Sequence, residues 1–382
     1  MPWRTESVMQ QRVEFVIQAR SGEKALSQLC REYGVSRPTG YLWLKRYEAS
    51  GSLLGLQERS RRPHSSPGRT KRELEELVLG LRDKTGWGAA KVQEVLRSQQ
   101  VELGRATVHR ILVREGRVGA DRRSLKKATK RFAREQCNEL AQMDFKGEYQ
   151  LSRKQKCYPL SFLDDCSRYL HGLWPLTSTG GAGVHRCLEG YFQQHGVPQG
   201  ILMDHGTPWF STQNQHGLTW VAVWLIKQGV VLKYSGIGHP QTQGKVERFH
   251  QTLKARTKHR GAPATMSEWL VWAEEFRREY NHERPHESLQ MKTPAEVYRA
   301  ENLRPYEQHP REWEYDGGTV KRLDAYGMLY YRGGSYFVCE ALGHEHVRID
   351  QLDDKLVVTF RHLTIREIDL RTSRSIPVAL KL

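Results

Sequence analysis

Between residues 8 and 48, apolar positions recur at helical spacing. Leu26, Leu29, Cys30 and Tyr33 make one stripe, and Val35, Tyr41, Leu42 and Leu44 make the next. Gly34 breaks the pattern between them, and Ser36 stands where a capping hydroxyl belongs, so the stretch predicts helix, short turn, helix. A second helical stretch covers residues 72–117. Residues 73–81 are periodic, 87–92 start another helix, and 104–112 repeat the turn-then-helix pattern. From about residue 138 the period changes. Residues 140–149, 158–163, 169–176, 200–203 and 230–234 read as strands, with Asp144 near the middle of the first and Asp204 directly after the fourth. Residues 184–195, 218–228 and 242–259 read as helices. This alternation predicts an α/β layered domain of mixed strand order. After Pro305, short β-rich runs at 319–323, 328–332, 335–339, 346–349, 356–360 and 364–368 are split by Gly, Asp or His turns, which predicts a small β-barrel.

The segments between these units are polar. Residues 57–72 contain proline and carry Arg59, Arg61, Arg62, Arg69, Lys71 and Arg72 with no apolar face, so they read as a linker. Such a linker either follows a phosphate backbone or is a solvated tether. Residues 118–137 are basic again, with Arg122, Arg123, Lys126, Lys127, Lys130, Arg131 and Arg134. The expected division is a helix-turn-helix unit at 1–56, the linker at 57–72, a second such unit at 73–117, the basic connector at 118–137, the α/β core at 138–303 and the barrel at 304–382.

Charge gives the helical units a partner. The chain has a formal charge of +17, and residues 1–134 hold 29 Lys and Arg against 14 Asp and Glu, leaving the rest close to neutral. A positive field confined to one end favours a polyanion, usually nucleic acid. Arg37, Tyr41, Lys45 and Arg46 fall on or near the second helix of the first unit, which suits a recognition helix in a major groove; Arg105 and Arg110 hold the matching place in the second unit. Two readers on one tether read more sequence than one. No run of eighteen apolar residues exists to span a membrane, and the first residues lack an apolar signal core. The six cysteines are scattered without a Cys-x-x-Cys pair, which argues against a zinc ribbon or a secreted disulfide framework and fits a reduced cytoplasm.

Three acids then stand out by context. Asp144 lies within an apolar strand between Met143 and Phe145, where a carboxylate is costly unless paired or metal-bound. Asp204 ends an apolar strand ahead of Gly206 and Pro208, and Glu247 opens a helix after a loop punctuated by Gly238, Pro240 and Gly244. Taken singly, each is an ordinary surface or capping carboxylate. Together, carboxylates from three elements can hold a pair of Mg²⁺ ions, which take oxygen ligands and, about 3.5–4 Å apart, can move a phosphodiester. Other acids fit worse. Asp164 and Asp165 occupy a strand turn, and Glu148 suits a salt bridge at the sheet rim. His205 and His239 flank the acids and suit a structural or solvent role better than proton transfer or DNA contact, and Trp209 either stacks on a base or belongs to the core.

The residues 240–247, Pro-Gln-Thr-Gln-Gly-Lys-Val-Glu, with Leu253-Lys254 beyond them, resemble the third-acid segment of retroviral-type integrases and related bacterial insertion-sequence transposases. Residues 281–289, followed by Lys292-Thr293-Pro294-Ala295-Glu296, resemble the segment that closes their core. Residues 1–4 and 31–41 resemble the four-eighty-one group of bacterial insertion sequences. The resemblance covers nearly the whole chain to residue 300. It implies helix-turn-helix units ahead of an RNase H-like α/β integrase core with an Asp-Asp-Glu triad. Asp144 would ligate both Mg²⁺ ions, Asp204 one and Glu247 the other, with Mn²⁺ as a substitute; Gln243 and Lys254 match positions near DNA. The stretch from Asp204 to Glu247 is longer than the retroviral one, with residues 211–219 a candidate insertion.

The expected function is that of an insertion-sequence transposase. It would bind terminal inverted repeats in double-stranded DNA, cut the 3′ ends and join them to target DNA, as a dimer or higher oligomer in the bacterial cytoplasm at the nucleoid. The alternatives are a catalytically silent DNA-binding repressor and a metal-dependent endonuclease that does not join.

Overall fold

Ser7 opens the first helix. Its hydroxyl accepts from the Gln10 amide while the Gln10 side chain accepts from the Ser7 amide, a reciprocal cap for α1 (Val8–Ser21). The fold is taken from a computed structural model, which describes residues 7–59, 68–118, 134–151, 155–211, 217–235 and 243–378. The chain divides into two units, residues 1–70 and 71–382.

In the first unit, α2 (Leu26–Glu32) and α3 (Arg37–Ser50) follow α1. Ser36 caps α3 through the Thr39 amide, and Pro38 occupies the first turn, where its missing N–H costs nothing. Phe15, Val16, Leu29, Cys30 and Leu56 form the core. Gly40 sits mid-helix in α3 because a Cβ there would come within 2.7 Å of Cys30 Sγ and 2.9 Å of the Phe15 ring. The bare backbone lets α3 lie close on α1 and α2.

The second unit begins with α4 (Arg72–Thr85), α5 (Ala89–Ser98) and α6 (Arg105–Arg114), packed around Val78, Trp87, Val92, Leu96, Val108, Ile111 and Leu112. Five strands then form one sheet with a sixth short one: β1 (Ala141–Phe145), β2 (Tyr149–Gln150), β3 (Lys156–Asp164), β4 (Leu170–Leu176), β5 (Gly200–Met203) and β6 (Val231–Tyr234). β3 lies between β4 and β1, both antiparallel to it; β1, β5 and β6 run parallel. The strand expected over 140–149 is two strands. Gly147 takes φ +92° between them, a left-handed backbone that ends the ladder.

α7 (Gly181–His195) and α8 (Trp220–Lys227) cover one face of this sheet, burying Val184, Leu188, Phe192, Val221 and Leu225 against Ala141, Met143 and Phe162. α9 (Gly244–Arg260) and α10 (Met266–Arg278) cover the other, burying Phe249, Leu253, Ala273 and Phe276 against Leu163, Leu170 and Leu173. A π-helical turn, Glu279–Glu283, continues α10 and buries Asn281, whose side chain pairs with the backbone N–H and C=O of Leu170 on β4. The short α11 (Pro294–Val297) follows.

The α and α/β parts and the mixed sheet follow the expected fold class, and the C-terminal part corrects it. β7 (Thr319–Arg322), β10 (His346–Leu352), β11 (Lys355–Phe360), β12 (Leu363–Asp369) and β13 (Arg374–Pro377) form an open antiparallel sheet in the order β13-β12-β11-β10-β7, and β8 (Met328–Tyr331) pairs with β9 (Gly334–Phe337) in a separate two-stranded ladder. Among the described residues no strand closes the sheet into a barrel. Its apolar face is buried instead in the same core as α7 and α8. Lys227 pairs with Glu345, and the Arg361 guanidinium donates to the carbonyls at the end of α8. A sheet covered this way has no apolar interior left for closure to hide.

Candidate active site

Side chains alternate along β1. Ala141 and Met143 enter the core under α7 and α8, whereas Gln142 and Asp144 face α9. On the parallel neighbour β5, Ala141 pairs with Ile201 and Gln142 with Leu202. Continued along both strands, that register sets Asp144 beside Asp204. The Asp204 carboxylate is held by its own turn: Oδ1 accepts from the Gly206 amide at 2.9 Å and from Trp209 Nε1 at 2.8 Å. Glu247 lies exposed on the first turn of α9. Burial, then the charge of Asp204 and, less, that of Glu247 push the Asp144 carboxyl up to about 7. The three acids therefore share one electrostatic neighbourhood at the carboxyl ends of β1 and β5.

Their surroundings include residues that the sequence reading passed over. Ser161 on β3 stands opposite Asp144, and its Oγ lies 2.8 Å from His250 Nε2. The other ring nitrogen of His250 is 3.6 Å from Asp144 Oδ2. Burial depresses the His250 pKa to about 3, so the ring is neutral and this contact is not an ion pair. The spacing of His250 three residues after Glu247, hence on the same side of a helix, is the one sequence signal for it. Trp209 is a buried residue that donates to Asp204 and stacks on Phe145, 5.5 Å between ring centroids at 11°.

The other acids have different work. Glu148 pairs with Lys156 at 2.9 Å and accepts from Tyr158. Asp164 is fully buried and accepts from the Asn138 amide and from the amide and hydroxyl of Ser167. It lies within 4.8 Å of the Cys137 and Cys166 thiols. Its oxygens are taken by those donors, and burial pushes the Cys166 thiol up to about 12, so the trio is built as a closed turn rather than as a ligand set. His205 packs against Phe210 and Tyr234. His239 lies outside the described residues.

An all-oxygen donor set with three carboxylates, one of them pushed up by burial and then by its acidic neighbours, fits a hard divalent cation such as Mg²⁺. Among the described residues the acids have no thiolate beside them, and the His250 imidazole faces Ser161 and Asp144.

The candidate DNA contacts divide into groups. Arg37, Tyr41 and Lys45 are exposed at four-residue spacing along one side of α3. Arg46 is half-buried, with its guanidinium 4.7 Å from the Trp43 ring centroid, and so lies off that row. Arg105 and Arg110 are exposed on α6, where Arg110 donates to Thr107 Oγ1 and the Ala106 carbonyl. Lys254 is exposed two turns beyond Glu247 on α9. Gln243 is buried, and its Nε2 has no partner among the described residues. Arg61 and Arg62 lie outside the described residues, as do most of the basic connector and residues 236–242 of the loop before α9.

The second helical unit is seated on α9. Arg256 donates to the Lys84 carbonyl at 2.9 Å and pairs with Glu279; His259 Nε2 meets the Asp83 carbonyl at 2.8 Å, and Lys91 pairs with Glu287 at 3.1 Å. Between α5, α6 and α9 lies a cleft of about 800 Å³. Arg105 and His109 line it from α6 and Arg248 from α9, with Arg284 at its wall. Arg248 is the residue after Glu247 on α9.

Known families match this layout. Integrase core domain models match residues 134–240 and 228–294, a helix-turn-helix domain model matches 11–64, and a homeodomain-like domain model matches 39–112. Among solved structures, the magnesium complex of the HTLV-2 integrase catalytic core domain in its dimeric form is similar over 42% of this chain and 97% of its own, at 14% identity and a TM-score of 0.32. The simian T-cell lymphotropic virus intasome in complex with PP2A regulatory subunit B56 gamma is similar over 80% and 96%, at 14% identity and a TM-score of 0.37. Among the described residues no helix is long and apolar enough to cross a membrane. The matches join helix-turn-helix domains to an integrase core, a layout that indicates DNA binding and recombination.

Proposed function

We propose that the protein is the transposase of an insertion sequence, cutting the 3′ ends of its element and joining them to target DNA at Asp144, Asp204 and Glu247. The observation that carries this reading is the convergence of those acids, seen in the shared strand register of Asp144 and Asp204 and in the rise of the Asp144 pKa to about 7. Asp144 would hold both of two Mg²⁺ ions, Asp204 one and Glu247 the other, with Mn²⁺ able to replace them. When bound, the ions supply a deprotonated oxygen nucleophile and stabilise the leaving oxygen. The turn donors Gly206 and Trp209 hold the Asp204 carboxylate in one orientation, and buried His250, its pKa depressed by burial, lies beside Asp144 without adding charge.

The helix-turn-helix domains would bind the terminal inverted repeats, with Arg37, Tyr41 and Lys45 reading or holding one segment and Arg105 and Arg110 another. The cleft between α6 and α9 would lead the duplex from the second domain to the acids. Two element ends must be paired before joining, so the working form on DNA would be a dimer or larger, in the bacterial nucleoid.

The test uses the purified chain with duplexes carrying the element's own ends. With Mg²⁺ or Mn²⁺ the wild-type protein should nick the ends and transfer them to a target plasmid. Glu247→Gln should still shift the same duplexes in a gel and do neither. Full strand transfer by that variant would overturn the triad. Nicking without joining by the wild type would establish an endonuclease, and specific end binding with neither activity a repressor.

A further inference from the structure

The start of α9 is fastened to the sheet by residues that hold no metal. Asp165, in the turn between β3 and β4, is fully buried. Its Oδ1 accepts from Gln142 Nε2 at 2.7 Å, and its Oδ2 accepts from the Arg134 amide at 2.8 Å and pairs with Lys245 Nζ. Lys245 Nζ also donates to the Asp165 carbonyl at 3.0 Å. The far end of the Gln142 side chain closes the circuit, because its Oε1 accepts from the Val246 amide at 3.1 Å.

The placement is specific. Gln142 stands two residues before Asp144 on β1, on the same side of the strand. Lys245 and Val246 are the two residues before Glu247. The first amides of a helix need outside acceptors, and α9 has no side-chain cap of its own at Gln243. A glutamine from the strand of the first acid supplies the acceptor instead. One buried carboxylate orients that glutamine and anchors the lysine beside it.

We propose that Asp165 is a positioning residue which, through Gln142 and Lys245, sets the distance and orientation of Glu247 relative to Asp144 and thereby the divalent-cation affinity of the acid cluster. The proposal rests on the reading of the three acids as metal ligands. The clamp ties the third acid to the first through the sheet.

The test reads metal occupancy directly. Tb³⁺ bound at the acids would be sensitised by Trp209, whose indole nitrogen is 2.8 Å from Asp204 Oδ1, and Mg²⁺ should displace it. The full-length wild type, Asp144→Asn, Asp165→Asn, Lys245→Met and Gln142→Met would be titrated with Tb³⁺, with Trp209→Phe to identify the antenna. Gln142→Met keeps the side-chain volume and leaves the Asp165–Lys245 ion pair in place, so it reports even if a variant of that pair does not fold. The expected result is a Tb³⁺ midpoint raised about tenfold or more in the folded clamp variants, as for other residues that orient ligands from behind. Affinity for duplex DNA in metal-free buffer should stay at the wild-type value, a split that a general loss of structure does not give. An unchanged Tb³⁺ midpoint in Gln142→Met, with the Asp144-dependent signal intact in the wild type, would overturn the clamp and leave the metal site standing. A wild-type signal that Asp144→Asn does not abolish would overturn the metal site and the clamp with it.

Discussion

Trp209 joins the two strand-borne acids. Its indole N–H donates to Asp204 Oδ1 at 2.8 Å, and its ring stacks on Phe145, the residue after Asp144. A Trp209→Phe substitution keeps an aromatic partner for Phe145 and deletes the hydrogen bond. Loss of one hydrogen bond to a charged group costs about 1.5–3 kcal/mol, so strand transfer should fall about 10-fold or more. Duplex affinity should hold, because Trp209 is buried and offers no surface to a duplex. Equal rates for wild type and variant, measured under single-turnover conditions, would show that the Asp204 orientation does not depend on Trp209.

Asp144 should trade stability for chemistry. Its carboxyl is pushed up to about 7 first by burial and then by Asp204 and Glu247, so at pH 8 without metal the fold carries a desolvated charge among like charges. Asp144→Asn removes that charge at nearly constant volume. In EDTA at pH 8 the variant should be more stable than the wild type, by about 1–2 kcal/mol in urea unfolding. Added Mg²⁺ should raise the wild-type midpoint and leave the variant where it was. A variant less stable than the wild type in EDTA would mean that Asp144 is already compensated by partners in the protein.

Acid should unfold the second unit through its buried histidines. Burial first, then His195 and Arg277, hold His171 down to about 3, and its Nδ1 lies 2.7 Å from the Tyr191 hydroxyl. Burial first, then Arg284 and Lys91, hold His286 down to about 2. Both are depressed from 6.5, so between that value and about 3 the unfolded chain binds protons that the folded chain refuses. Stability is full above pH 6.5 and is lost as the pH falls, with a slope near 1.4 kcal/mol per pH unit for each such histidine. His171→Phe and His286→Phe should each flatten the curve of urea midpoint against pH between 6 and 4. An unchanged slope in both would place the acid sensitivity in other groups.

Much of this layout can be read from local pattern, and the remainder depends on distant pairings. The run 200–203 ends as a strand where the apolar residues end, because a short buried strand has no other register available. The run 140–149 reads as continuous, since Gly147 is one residue in ten and only its φ of +92° divides it. Alternation after residue 319 gives strands but not their closure. Closure needs the outer strands to meet, and here α8 takes the apolar face first. At the candidate site, context singles out Asp144 as a carboxylate inside an apolar strand, and Asp204 and Glu247 gain their meaning only in combination with it. Gln142, Asp165 and Lys245 break no local rule. Their meaning lies in bonds spanning 23, 80 and 104 positions, which a single sequence does not display.

The cleft between α6 and α9 gives the last prediction. Arg105 and Arg248 line it from opposite sides, both are exposed, and Arg248 adjoins Glu247. A duplex lying there would give each guanidinium a phosphate and release a counterion for each. Arg105→Ala and Arg248→Ala should each weaken binding to the element's ends and lower the slope of log affinity against log salt by about 1. Arg37→Ala on α3 should do the same, through the loss of one phosphate contact at the first helix-turn-helix domain. The two cleft variants should differ from Arg37→Ala in chemistry. At DNA concentrations that saturate binding, Arg37→Ala should recover its cutting rate, whereas Arg248→Ala should not, since the scissile strand then lacks its hold beside the acids. Wild-type salt slopes in both Arg105→Ala and Arg248→Ala would take the duplex out of the cleft and require another route from the helix-turn-helix domains to Glu247.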